Sequence, residues 1–515
     1  MKRPDLLVIA GAADQERRAM ISRVAWIAAA AIVVLVLTVQ PFSNTDVWWH
    51  LALGRLITTS GIPAHEPFSF LPAAHAWVGQ QWLYEVTLAG LVGAGGAGLA
   101  SLVMGLAAVA AVVLAVPHSA RVSGPWIAAS MVITGLVLVT VVGVSSAVIS
   151  ILGVATVLFV ISRWRDGRTS VVWGLPALFL LWANMDAGFA AGLLIVLAAV
   201  LLIPGAATSN PAGRRQLAMA LGISAVAALA NPLGPGIYAS VLSGVFNPGI
   251  AQSLASFGSP NFHDWWARFF EAEMLLVVVL WTISGGPDRF SAVTGFGLLV
   301  ATLFAQENLG LFAVFMAPQL AIHGSRAWNR HVAPHIAGRP QSMGRHLHPL
   351  ATSAVLLALT AAMAVTVVPR LSTSAAASYQ ATQYPEAAAT YTGTNFPGQR
   401  VYTLDAWGGY LAYRFPSGRV VFLYDEPAVF GNAALQLYDA IDQLDPNWVH
   451  VLTSESIHHA ILPSGARETA ALRVLGWTVN CSDPTSNSVV MSSPLSGGGA
   501  PSTGPVIPPG TPDCR

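Results

Sequence analysis

Residues 24–55 read VAWIAAAAIVVLVLTVQPFSNTDVWWHLALGR. The first half is an unbroken apolar run. The second half sets an acid, two tryptophans, a histidine and an arginine within ten positions. A transmembrane helix needs roughly 20 mostly apolar residues, and the first half supplies them. No small-residue cleavage site follows, so the expectation is an uncleaved first span and not a signal peptide. The preceding residues 1–24 are polar and basic, which fits a cytoplasmic tail.

The rest of the chain extends this reading. Of its 515 residues 54% are hydrophobic and only 10% are charged, against about 25% charged in soluble domains. That composition belongs to a polytopic α-helical membrane protein. The net charge of +1 provides no field to attract nucleic acid. By the length criterion about eleven spans are expected, near 25–41, 92–116, 126–143, 146–162, 171–183, 188–204, 216–230, 272–284, 291–305, 309–323 and 350–368.

Basic residues test the alternation. With the N-terminus inside, the inner segments hold Lys2, Arg3, Arg17, Arg18, Arg23, Arg121, Arg163, Arg165, Arg168, Arg214, Arg215, Arg289, Arg326, Arg330, Arg339 and Arg345. The outer loops between spans hold only Arg55 and Arg268. This asymmetry matches the positive-inside rule and places the C-terminus outside.

Beyond residue 370 the character changes. Residues 370–395 are small and polar and read as a linker. In 396–494 short β-like runs (RVYTL, RVVFLYD, HHAILP, SNSVVMS) alternate with helical ones (AALQLYDAIDQL, ARETAALRVLGW). The alternation predicts a small C-terminal extracytoplasmic α/β domain. Residues 495–515 have the Gly/Pro/Ser composition of a disordered tail. Cys481 and Cys514 both lie on the outer side, where a disulfide persists; whether they pair is left open by the sequence.

Two outer loops are long, 42–91 and 231–271. Both are rich in Trp, His and acids, so chemistry or binding is expected on the outer face. In the first, Asn44 or Thr45 can cap a helix running from Asp46 to about Thr59. Val47, Trp48, Leu51 and Leu56 can then face the membrane, with the tryptophans at headgroup depth. His50 lies one turn from Asp46. His65 and Glu66 follow in IPAHEPFSF, as part of a site or as a fixed turn. Asp186 in LLWANMDAGFAAG and Glu307 in FAQENLGLF fall at the outer ends of spans, where acids face a cavity, a partner or water. The second long loop, SFGSPNFHDWWARFFEAEM, carries Arg268 and repeats the mixture of acid, His and paired Trp.

The segments DVWWHLALGRLITTSGIPAHEPFSF, WVGQQWLYEV, LLWANMDAGF, NPLGPGIY, FGSPNF, NLGLFAVFMAP and DAWGGYLAYRF resemble a widespread, poorly characterised family of bacterial membrane proteins described as glycosyltransferase-like. With a first outer loop carrying an acid near the membrane, a helical bundle and an outer C-terminal domain, the chain looks like the GT-C glycosyltransferases. The resemblance runs from about residue 44 to 492. It implies a GT-C-like membrane domain over 25–369 and an enzyme of the plasma membrane that uses polyprenyl-phosphate sugars. It also implies that Asp46 acts as general base or orients an acceptor hydroxyl. Attack of a sugar hydroxyl needs a base in hydrogen-bond reach, and a phosphate leaving group needs no strong acid. Arg55 or Arg268 can bind that phosphate. Three positions depart from the family pattern: Asp186 stands in place of His, Glu307 in place of Arg, and Gly258 in place of an acid.

Three functions compete on this sequence. The first is transfer of a sugar from a polyprenyl-phosphate donor to a glycan or lipid-linked acceptor of the cell envelope, with Asp46 catalytic and His50, Arg55, His65, Glu66, Asp186, Arg268 and Glu307 binding substrate. The second is a non-catalytic assembly subunit that binds protein or glycan through the C-terminal domain. The third is a transporter or flippase, against which there is no clear internal repeat and no mid-span ionisable pair. No P-loop, dinucleotide fingerprint or Cys/His metal spacing is present. A divalent cation (Mg or Mn) is left open as cofactor, with no metal ligand assigned.

Overall fold

Apolar runs without water to bond their backbone satisfy it internally, as helices. The computed structural model shows this for most of the chain. It describes residues 5–72, 79–117, 119, 122–141, 143–204, 211–246, 258–336, 349–424, 426–494 and 511–514. The helices are α1 (Asp5–Thr38), α2 (Val47–Ser60), α3 (Trp82–Ala115), α4 (Gly124–Leu138), α5 (Ala147–Arg165), α6 (Leu175–Ala183), α7 (Phe189–Leu202), α8 (Pro211–Ala227) and α9 (Gly236–Phe246). Then come α10 (Ala267–Ser284), α11 (Arg289–Phe304), α12 (Leu309–His331) and α13 (Pro349–Arg370). Among the described residues four helical stretches are long and apolar enough to cross a membrane: Ala19–Thr38, Trp82–Ala115, Ala147–Arg165 and Ser353–Arg370. Four more apolar helices are shorter, Gly124–Leu138, Thr169–Ala183, Phe189–Leu202 and Arg289–Phe304. The protein is mostly helical, with membrane-length apolar helices and, among the described residues, one small sheet.

The chain forms two compact units. Unit 1 holds residues 1–40, 101–228 and 259–370. Its centre is α12, buried on most sides from Leu309 to Ala327. Helix ends are tied to one another by polar contacts. Arg165 at the end of α5 pairs with Asp288, which caps α11, at 3.0 Å. Gln40 Nε2 donates to the Val139 carbonyl at 3.0 Å, and Arg370 donates to the Val36 and Val39 carbonyls.

Unit 2 holds residues 41–100, 229–258 and 371–515. The first long loop therefore folds together with the C-terminal segment. Helix α3 passes from unit 2 to unit 1 and is broken at Gly95 and Gly96, the latter at φ 69°. Residues 370–395, expected as a linker, carry the helices Thr373–Gln383 and Glu386–Asn395. Four strands follow, β1 (Val401–Tyr402), β2 (His459–Pro463), β3 (Thr478–Asp483) and β4 (Ser488–Ser492), in the order β1-β2-β4-β3. β1 and β2 run parallel, linked through helices Asp405–Arg414, Pro427–Asp442 and Trp448–Ser454; β4 is antiparallel to both neighbours. Cys481 and Cys514 are joined in a disulfide. The disordered tail expected over 495–515 falls for residues 495–510 outside the described residues, as do Trp77, Arg121, Arg339 and Arg345.

One expectation about the first loop is overturned. Trp48 and Trp49 are 4% and 3% exposed, packed inside protein instead of facing lipid, and Val47 and Leu51 are buried with them. Trp48 sits among Phe42, Tyr384, Tyr410 and Tyr413, with ring centroids 5.1–5.4 Å away. Two tryptophans bury more apolar area inside an aromatic cluster than at an interface. The same dipeptide type in the second loop differs: Trp265 is 72% exposed, as an interfacial anchor would be. The Gly408–Gly409 pair of DAWGGYLAYRF explains how α2 comes so close. A Cβ on Gly408 would collide with the Leu423 carbonyl, and one on Gly409 would press on the Thr45 carbonyl at 3.1 Å and on Trp49.

Candidate functional site

In unit 2 the candidates gather around α2. Asp46 occupies the position before the helix, in helical conformation (φ −62°, ψ −29°), and its side chain makes no capping hydrogen bond. Asn44 Oδ1 instead accepts from the Asp46 N–H at 3.1 Å. Asp46 is half-buried. His50 is buried 3.5 Å from Glu85 Oε1. Burial pulls the His50 imidazole down to about 3, so it is neutral and the contact is not an ion pair. Arg55 and His65 are exposed. The Arg55 guanidinium lies over the Tyr413 ring at 4.7 Å, a cation–π contact that leaves its edge N–H groups to other acceptors.

Glu66 is buried and works as a clamp. Its carboxylate accepts from the Phe68 and Ser69 N–H groups at 2.7 and 2.6 Å and from the Tyr424 hydroxyl at 3.0 Å. Ser69 Oγ donates to the Phe422 carbonyl, and Arg419 Nε to the Ser69 carbonyl. Ser69 also bridges Val421 in parallel, so segment 68–70 extends the sheet region that runs from Val421 to β1. The turn reading of His65–Glu66 thus has a physical basis at Glu66. Sequence spacing does not point to Tyr424 as its partner, 358 residues away.

Desolvation raises the Glu66 carboxyl to about 7, against the opposing hydrogen bonds and the Arg419 charge. A carboxyl raised on folding favours the folded state below its ordinary value of 4.5, and that contribution is lost as pH rises through about 7. Relative to Glu66→Gln, the wild-type chain is therefore expected to lose about 3 kcal/mol of unfolding free energy between about pH 4.5 and 8. Denaturant unfolding of both chains across that range checks it; parallel pH profiles would refute the assignment.

Two further candidates, Asp186 and Glu307, belong to unit 1. Asp186 lies in the turn between α6 and α7, Glu307 in the turn between α11 and α12. Asp186 Oδ1 accepts from Ser150 Oγ and from the Gly188 N–H. Desolvation first, and the Asp186 charge second, push the Glu307 carboxyl up to about 7. Its side chain nonetheless reaches the surface. Arg268 is exposed and paired with Glu271 at 2.9 Å. Ser150 and Trp182, which hold Asp186, sit within apolar stretches and carry no motif of their own.

Among the described residues no three His, Cys, Asp or Glu side chains gather as a metal-ligand set.

No family model matches the chain, and no curated protein matches it. Solved structures do. The oligosaccharyltransferase AglB of Archaeoglobus fulgidus, in complex with an inhibitory peptide and a dolichol-phosphate, matches with a TM-score of 0.48 at 13% identity over 95% of this chain and 75% of that one. The Archaeoglobus fulgidus oligosaccharyltransferase tethered to an acceptor peptide with an NVT sequon matches with a TM-score of 0.49 at 11% identity, over 86% of this chain and 69% of that one.

Proposed function

We propose that the chain is a membrane glycosyltransferase of GT-C type, moving a sugar from a polyprenyl-phosphate donor to a cell-envelope acceptor on the outer face. The observation that carries this reading is Asp46. It is an acid at a helix start, partly open to solvent and not used for capping, in the position where the resemblance puts the base. In this reading Asp46 takes the proton of the acceptor hydroxyl as that oxygen attacks the anomeric carbon. The bond to the lipid phosphate breaks, and the phosphate leaves as an anion without needing an acid. His50 and Glu66, both buried, support α2 and the 66–70 segment.

The test is transfer from a labelled polyprenyl-phosphate sugar in membranes containing the chain. Labelled glycan above the level of membranes lacking the chain supports the proposal. No label moved from the lipid extract of the native membrane would sink it.

Arg55 is the better of the two candidate phosphate ligands, because Arg268 is already held by Glu271. Arg55→Ala is expected to raise KM for the lipid donor about tenfold, the size of a lost charge-assisted hydrogen bond. Arg268→Ala is expected to change it less than threefold. Equal KM values in Arg55→Ala and wild type would remove Arg55 from the donor site.

A further inference from the structure

The sheet of unit 2 has two edges, and each is met by another piece of chain. At the β1 edge Val421 bridges Val401 in parallel, and Ser69 bridges Val421. At the β3 edge residues 511–514 lie alongside, with Asp513 bridging Ser482 in parallel. Ser482 is thus paired on both sides, with Val489 of β4 and with Asp513. Its N–H donates to the Pro512 carbonyl and its carbonyl accepts from the Cys514 N–H, both at 2.9 Å. Covering a strand edge removes a template on which another chain can pair.

The two covers are held differently. Segment 68–70 is fixed by side chains: the Glu66 clamp on the Phe68 and Ser69 N–H groups, Ser69 Oγ on the Phe422 carbonyl and Arg419 Nε on the Ser69 carbonyl. Residues 511–514 bond to β3 through two backbone hydrogen bonds and the Cys481–Cys514 disulfide. The ladder does not lengthen through Pro512, which has no N–H. Pro512 and Asp513 are exposed, while Cys514 is buried. A net backbone hydrogen bond is worth less than the entropy of fixing one residue of free chain, so two of them do not order four residues. The disulfide makes the difference. It holds the strand beside β3 across a sequence separation of 33, over which an untethered chain end would be widely spread.

We propose that residues 511–514 are a disulfide-held strap, which closes the outer edge of β3 while the Cys481–Cys514 bond is intact and leaves it when a dithiol reduces that bond. In that step the dithiol gives up two electrons and two protons and becomes a disulfide. The S–S bond breaks, and Cys481 and Cys514 become thiols. Opening uncovers the N–H and C=O of Ser482, the groups through which a sheet edge takes an added strand. The strap does not depend on the transferase reading.

Hydrogen exchange of the full chain in lipid nanodiscs tests it, read at the Ser482 amide. Reduction by dithiothreitol is expected to speed exchange at Ser482 about tenfold or more, with β2 and β4 staying within about twofold of the oxidised chain. Cys514→Ser is expected to do the same without reductant, and dithiothreitol to add nothing to it. Unchanged exchange at Ser482 after reduction, with both thiols shown free by alkylation, would overturn the proposal, because the strand would then hold without its bond. Faster exchange throughout β2 and β4 would overturn it as well, since the bond would then be a general brace of the domain. Reduction acts on chain that is already folded, so it gives the answer even where Cys514→Ser does not fold.

Discussion

Asp46→Asn is expected to lower sugar transfer by about 10²–10⁴-fold, the usual contribution of a positioned general base. In activation free energy that is about 3–5 kcal/mol. The substitution separates two roles that the sequence alone leaves mixed. Asn is as good a residue as Asp at the start of a helix, so a helix-capping role would survive it with stability and activity near wild type. The structure already weighs against capping, since the Asp46 side chain makes no such bond and its backbone is helical. A dipole contribution at the helix start would be worth only about 0.3–1 kcal/mol, and in stability rather than rate. The measurement is the initial rate of transfer in membranes at matched protein level, with KM for the lipid donor determined alongside. Loss of kcat at unchanged KM is the outcome a base predicts. An unchanged rate would end the assignment and favour the non-catalytic reading, in which the chain assembles other envelope components.

The parts of this protein that were legible in its sequence are those set by local pattern. Apolar runs of sufficient length announced helices, and β-like runs after residue 396 announced β1, β2 and β4, because each reports one environment along a contiguous stretch; RVVFLYD forms only isolated bridges at Val421, and β3 carried no such signal. The start of α2 one residue from its expected place came from the same local chemistry. What escaped was pairing across distance. Trp48 looks the same in sequence whether lipid headgroups or Tyr384, Tyr410 and Tyr413 surround it. The decisive partners lie more than 300 residues away, and no periodicity links them. Glu66 was visible as an acid beside proline, but its hold on the sheet depends on Tyr424 and on the Ser69–Val421 bridge. Ser150 lay unmarked inside an apolar span. Its importance follows only from the meeting of α5 with the turn after α6. Asp186 and Glu307 were both singled out as acids at span ends, where charge is costly.

Trp48→Ala is expected to destabilise unit 2 by about 3–5 kcal/mol, the range for truncating a fully buried large aromatic. The cost has two sources. The indole loses its apolar burial, and the cavity left behind is lined by Phe42, Tyr384, Tyr410 and Tyr413, whose ring contacts, edge-to-face for the first three, vanish with it. The surrounding walls have little freedom to close the gap, because Gly409 already brings its helix against the Thr45 carbonyl and Trp49. Trp48→Phe retains a ring in the same pocket and is expected to cost less than half as much. Trp265→Ala is the internal control. Its side chain is 72% exposed, so the same truncation is expected to cost under about 1 kcal/mol of unfolding free energy, while weakening membrane anchoring. Denaturant unfolding followed by near-ultraviolet circular dichroism measures all three. If Trp48 were an interfacial anchor, Trp48→Ala and Trp265→Ala would unfold alike. A gap of several kcal/mol between them is what a tryptophan in the core of a folded unit requires, and it would move the first outer loop from the membrane surface into the interior of the domain that its C-terminal partners complete.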